Sequence, residues 1–126
     1  MEDATKNLYP PLILDHYRNP RNYGTLAEYS IAGNSRNPSC GDTISLQGLV
    51  HNGVLEVVRF EGSGCMLSQA AASIILEHVT GMAVGEILKL TPAQMYPIVG
   101  ITVGPTRARC IDLVLEVLQK ALGSKE

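Results

Sequence analysis

Cysteine is scarce in this chain, and no pair is spaced as CxxC: Cys40, Cys65 and Cys110 are the only three, 25 and 45 positions apart. An odd number of thiols so widely separated excludes the disulfide framework that staples small secreted domains. Aromatic residues are also few, five Tyr and one Phe scattered along the sequence, too thin for a base-stacking platform. No block of one charge stands out, the formal net charge is −2, and dispersed basic residues leave no nucleic-acid footprint. No run approaches the roughly 20 apolar residues of a membrane-spanning helix. The opening MEDATKNLYP has no basic region followed by an apolar one, unlike a secretory signal. Neither nucleic acid nor membrane is expected as a partner, and the expected location is cytoplasmic or an equivalent reducing compartment. Repeats, low-complexity tracts and linkers are absent too. Residues 1–126 therefore read as one domain, long enough to bury a core without disulfides or metal.

What is present is a run of strand signals followed by helix signals. Leu12 to Tyr17 reads as a short helix that opens at Pro10-Pro11 and stops at Asn19-Pro20. Tyr29 to Ala32 is a weak strand candidate. Ile44 and Leu46 alternate with Thr43, Ser45 and Gln47 at the period of a half-buried strand. Asn52-Gly53 then predicts a tight hairpin, with a return strand over Val54 to Phe60 whose imperfect alternation suggests partial cover on both faces. A helix is expected from near Ser68 to Gly81 and a short one over Val84 to Lys89. Another starts at Thr91-Pro92-Ala93-Gln94, which has capping-box residues, and a last one covers Ile111 to Leu122. Strands first and helices after predict an α+β fold, a small antiparallel sheet of about three strands with helices packed mainly on one face.

Each cysteine neighbours punctuation. Cys40 lies in Asn37-Pro38-Ser39-Cys40-Gly41-Asp42, Cys65 follows Gly62-Ser63-Gly64, and Cys110 precedes an apolar helix. Cys65 and Cys110 are expected at or just before helix N-termini, where free N–H groups and the dipole lower a thiol's pKa; Arg107 and Arg109 add positive potential. Asp42, two residues after Cys40, points to the same side if the chain is already extended. Three thiolates and one carboxylate suit Zn²⁺ or an iron–sulfur cluster, with the hard oxygen as the weaker corner. Three unrelated buried cysteines are the alternative. Their shared placement at turns and helix starts favours one assembled site.

Four segments carry a resemblance: LILDHYRNPRNYG at 12–24, NPSCGD at 37–42, EGSGCMLSQAAAS at 61–73 and RARCIDL at 107–113. In this order the chain resembles the iron–sulfur cluster assembly scaffolds of the IscU/SufU/NifU N-terminal family. The resemblance implies a SufE/NifU-like α+β fold with Cys40, Asp42, Cys65 and Cys110 converging as cluster or zinc ligands. It also implies a cysteine desulfurase as sulfur donor, apo iron–sulfur proteins or carriers as acceptors, and a possible homo-oligomer. Two departures concern the subtype. The His before the last Cys and the Leu-Pro-Pro-Val-Lys segment of IscU-type members are replaced by Gly104-Pro105-Thr106-Arg107-Ala108-Arg109. That basic residue resembles the SufU type, whose added segment of some twenty residues this chain lacks.

The expected function is a scaffold, not an enzyme in the turnover sense, that builds a transient [2Fe–2S] cluster on Cys40, Asp42, Cys65 and Cys110 and passes it on. The alternative is a SufU-type zinc-dependent sulfurtransferase holding Zn²⁺ in the same residues. Cys110 is the expected persulfide acceptor in the first reading and Cys40 in the second. Arg109 is an auxiliary candidate that could pair with Asp42. His16 is expected to pack or hydrogen-bond locally, His51 to be solvated in its turn, and His78 to suit the end of its helix.

Overall fold

The computed structural model describes residues 10–37, 41–100 and 104–123. Among them the order is α1 (Pro11–Arg18), β1 (Ile31–Arg36), β2 (Thr43–His51), β3 (Val54–Ser63), α2 (Met66–Val79), α3 (Val84–Ile87), α4 (Pro92–Val99) and α5 (Pro105–Gly123). The three strands form one antiparallel sheet in the order β1-β2-β3, so the α+β expectation holds.

The hairpin forms where Asn-Gly predicts it. Asn52 and Gly53 both adopt positive φ, 53° and 75°, which gives the turn a twist that matches its strands. The uneven alternation of β3 has a different cause from the expected double cover. Val50 pairs with Leu55 and Leu49 with Val57, so Glu56 bulges out of the ladder. The extra residue reverses the parity of the strand, and Leu55, Val58 and Phe60 all face the core. β1 runs on to Arg36, beyond its expected end at Ala32. Gly33, Asn34 and Ser35 have weak strand preference and are held by pairing with β2.

The inner face of the sheet, with Ile31, Ile44, Leu46, Leu55, Val58 and Phe60, is covered by α2 and α5. Helix α2 is buried nearly all round, and its Ala70-Ala71-Ala72 run lets α1, α4, α5 and β3 pack against it. Helix α5 buries Ile111, Val114, Leu115, Leu118 and Leu122. Its Gln119 Nε2 donates to the Ile87 and Leu90 carbonyls at 3.0 and 2.8 Å, tying in α3. Helix α5 also begins at Pro105, six residues before the expected Ile111. Gly-Pro reads as a break, but a proline in the first helical position loses no hydrogen bond the helix needs. Cys110 therefore lies inside the helix and not at its N-terminus, which removes the dipole argument for that thiol.

His16 is structural, as expected. It is buried at the α1–α2 contact, with Nδ1 2.7 Å from Ser73 Oγ, and the Arg21 backbone N–H donates to the same hydroxyl at 2.7 Å. The network is satisfied when Ser73 gives its proton to Nδ1 and His16 is neutral, leaving Nε2–H toward Glu77 Oε1 at 3.8 Å. Burial first, and then the Arg21 charge, hold the imidazole below its usual pKa, against the opposing pull of Glu77 and Asp15.

A lowered folded pKa means the unfolded chain binds the extra proton more readily. His16's contribution is thus complete above about pH 6.5 and is lost as pH falls through its folded value. Chemical denaturation at pH 7.5 and pH 5 should show lower stability at pH 5, and His16→Gln should flatten that difference. His16→Ala should cost about 2 kcal/mol at pH 7.5 by leaving buried polar groups without partners.

Candidate metal centre

The centre is assembled where β2 begins, β3 ends and α2 starts. Ahead of it the chain doubles back: the Asn37 N–H donates to the Asp42 carbonyl at 2.7 Å, and the Gly41 N–H to the Asn37 carbonyl at 2.7 Å. Gly41 takes φ 77°, a conformation that glycine adopts without steric cost. Both ends of the segment that bears Cys40 are thereby anchored. Cys40 itself lies outside the described residues.

Thr43 pairs with Ser63, and their hydroxyls meet at 3.0 Å while the Ser63 N–H donates to Thr43 Oγ1 at 3.1 Å. This side-chain clasp holds the end of the ladder shut and sets Asp42 beside Gly64. Gly64, at φ 143°, has no side chain, and an added Cβ would overlap the Asp42 carboxylate. The carboxylate occupies the space a side chain would need. Asp42 is buried there, and its Oδ1 accepts the Cys65 N–H at 3.0 Å.

Cys65 is the N-cap residue of α2, as its place near the helix start suggested. Its sulfur accepts the Ser68 N–H at 3.4 Å, and Ser68 Oγ donates back to the Cys65 carbonyl at 2.9 Å. The capping device is a thiol where Ser, Thr, Asp or Asn is usual. Cys110 approaches from α5. Its Sγ is 3.3 Å from Asp42 Oδ2, Cys65 Sγ is 3.6 Å from the same oxygen, and the two sulfurs are 3.7 Å apart.

One donor atom from each of Asp42, Cys65 and Cys110 lies within 4.8 Å of the others. Tetrahedral zinc with Zn–S near 2.3 Å and Zn–O near 2.0 Å separates two sulfurs by about 3.8 Å, and sulfur from oxygen by about 3.5 Å. The observed spacings match, so the donor set fits a thiophilic divalent ion. Cys65 is exposed and Cys110 is buried. Burial first, then the Cys65 sulfur and the Asp42 carboxylate, push the Cys110 thiol far above its usual pKa, opposite to the direction expected from a helix start. Metal uptake must therefore displace a firmly held proton.

Arg109 is exposed and lines the groove between β1 and α5, while the Asp42 carboxylate is engaged by Cys65 and Cys110. His51 and His78 are exposed and away from the centre. Sequence reasoning missed the Thr43–Ser63 clasp, the Ser68 contact to sulfur and the steric role of Gly64. The clasp and the glycine show only once the strand register is known.

Comparison with known proteins identifies the family. The family model described as the NifU-like N terminal domain matches residues 8–125. The zinc-dependent sulfurtransferase SufU of Bacillus subtilis is 30% identical, covering 94% of this chain and 92% of its own. The iron–sulfur cluster assembly scaffold protein IscU of Aquifex aeolicus is 35% identical, covering 90% and 73%. The SufU alignment spans 136 positions while 94% of this chain is about 118 residues, so about 18 positions face gaps in this chain. The IscU alignment spans 116 positions against about 113 residues. Among solved structures, an iron–sulfur cluster assembly scaffold protein for the SUF system from Fervidobacterium islandicum superposes with a TM-score of 0.80 at 23% identity, covering 94% of this chain and 99% of its own, and shares the fold. By its near-complete family match and its relatives, this chain belongs to the NifU-like N-terminal domain family.

Proposed function

We propose that this protein is an iron–sulfur cluster assembly scaffold that takes persulfide sulfur from a cysteine desulfurase. It receives from an external electron donor the two electrons that reduce each sulfur to sulfide, assembles a [2Fe–2S] cluster with iron as its cargo and hands it to apo proteins or carriers. The observation that carries this reading is the Asp42 carboxylate held between two thiols, 3.3 and 3.6 Å from their sulfurs. Cys65 and Cys110 supply soft donors. Asp42 supplies a hard one that a thiophilic cargo leaves more readily. Cys40, which lies between Asn37 and Asp42 in the sequence, completes the set in this reading. Cys110 is the sulfur acceptor in this reading; its thiol is buried, so its contacts with Asp42 and Cys65 must open for it to react. Arg109, one residue before it, adds positive charge at the rim. Such a protein binds and releases its cargo and is not an enzyme in the turnover sense. A cytoplasmic location suits the free thiols, and among the described residues no helix is long and apolar enough to cross a membrane.

A second reading has its own support: identity to SufU over nearly the whole chain and donor spacings that fit zinc. There Zn²⁺ is resident in Cys40, Asp42, Cys65 and Cys110, and Cys40 takes the sulfur. The positions that SufU has and this chain lacks weigh toward the scaffold.

Protein purified without oxygen should contain iron and sulfide in equal amounts with visible charge-transfer absorption; colourless protein with stoichiometric zinc that accepts persulfide sulfur but assembles no cluster would favour the second reading. Asp42→Ala should retain a reconstituted cluster several-fold longer than the parent under chelator challenge, and equal or faster loss would remove the gating role. Gly64→Ala should cost about 3 kcal/mol and abolish tight zinc binding, because the new methyl group displaces Asp42. Gly81→Ala, at φ 90° with nothing nearby, should cost only about 1 kcal/mol and leave zinc affinity unchanged, as urea titration and a zinc-competition assay would show.

A further inference from the structure

β1 is an outer strand of the sheet. One edge bonds to β2, and among the described residues no strand lies along the other. Natural sheets usually blunt such edges with proline, inward charges or bulges. The span from Ile31 to Ser35 has no charge and no proline, pairs with β2 in unbroken register, and has only short side chains after Ile31. A groove of roughly 730 Å³ runs between this strand and α5. The helix lies close against the strand: a Cβ on Gly33 would come within 3.2 Å of Val117 Cγ1.

The groove has a sign. Among the described residues, Arg36 at the end of β1 and Arg109 and Lys120 on α5 line it, against one carboxylate, Glu116. All four are exposed, and none joins an ion pair among the described residues. This concentration of cations stands in a chain whose formal net charge is −2. One end of the groove lies near the candidate metal centre. Arg36 precedes Asn37, whose N–H donates to the Asp42 carbonyl, Arg109 precedes Cys110, and Leu113 lines both the groove and a small cavity that Cys110 also lines.

We propose that an extended acidic segment of a partner protein docks in this groove and adds to β1 as a fourth strand. Its main chain pairs with the open edge of β1, and its carboxylates meet Arg36, Arg109 and Lys120. A second copy of this chain is a poorer occupant, because it brings three more cations into the same groove. The segment would hold its parent protein beside the centre. That purpose rests on the proposed scaffold function; the binding itself does not.

The test is an NMR titration of the ¹⁵N-labelled full chain with a blocked octapeptide of alternating Thr and Glu. Saturable shifts are expected in the amides of 31–36 and at Arg109 and Lys120. Arg36→Glu combined with Lys120→Glu should weaken binding at least tenfold, as should added salt at several hundred millimolar. Of two peptides N-methylated on alternate residues, one in each phase, at least one should bind tenfold more weakly, and the Thr-Lys peptide should not bind. Non-saturating shifts, shifts confined elsewhere, unchanged binding of both methylated peptides, or equal binding of the Thr-Lys peptide would overturn the proposal. A doubled mass in light scattering that Arg36→Glu abolishes would overturn it in favour of a dimer. The titration needs neither sulfur donor nor cluster, so a failure of cluster assembly leaves its result standing, and the reverse also holds.

Discussion

A carboxylate taken out of water must be met by hydrogen-bond donors, because a buried charge left unmet costs more than a small fold has to spare. Asp42 is tolerated because a backbone N–H and two thiols accept its company: Cys65 donates from the chain to Oδ1, and both sulfurs approach Oδ2. The rest of the architecture follows from keeping that arrangement. Gly64 must be bare, Thr43 and Ser63 must hold the strand ends together, α2 must begin at Cys65, and α5 must bring Cys110 across the core. The polar centre is thus sealed against an apolar core and not simply exposed on a loop. Its donors are already close, so little backbone reorganisation is needed to use them.

The two long helices divide the labour. α2 is apolar nearly all round and forms the middle of the molecule, with the sheet on one side and α1 on another. α5 covers β1 and β2 with one face and turns its charged residues outward along the strand edge. Each contributes one sulfur from a different depth, an exposed one from the start of α2 and a buried one from within α5. Thiols of the same type therefore meet different solvent, and burial raises the pKa of the Cys110 thiol above its usual value.

Much of this was legible where the rule is local. Asn52-Gly53 encodes its turn through positive φ, and Thr91 and Gln94 encode the start of α4, where the Gln94 side chain accepts the Thr91 N–H at 2.8 Å. The α5 core positions follow from spacing alone. What escaped depends on pairing or context. β1 beyond Ala32 is made a strand by β2 and not by its own residues. The Glu56 bulge is invisible without register. Pro105 reads as a stop although it is a start, and that shift of six residues removed the dipole argument for Cys110, while burial, which spacing did not show, raised its pKa. The convergence of Asp42, Cys65 and Cys110 was legible chiefly through motif resemblance, since residue types alone allowed three unrelated thiols.

Because Cys65 is at once the cap of α2 and one of the three residues that could hold a metal ion, the helix on which the core is built starts at the candidate centre. Anything that binds the folded centre and not the unfolded chain raises stability by mass action, by about 2.7 kcal/mol when its free concentration is a hundred times its dissociation constant. Supply and persistence are then linked. A chain with an ion bound at the centre would outlast one without it.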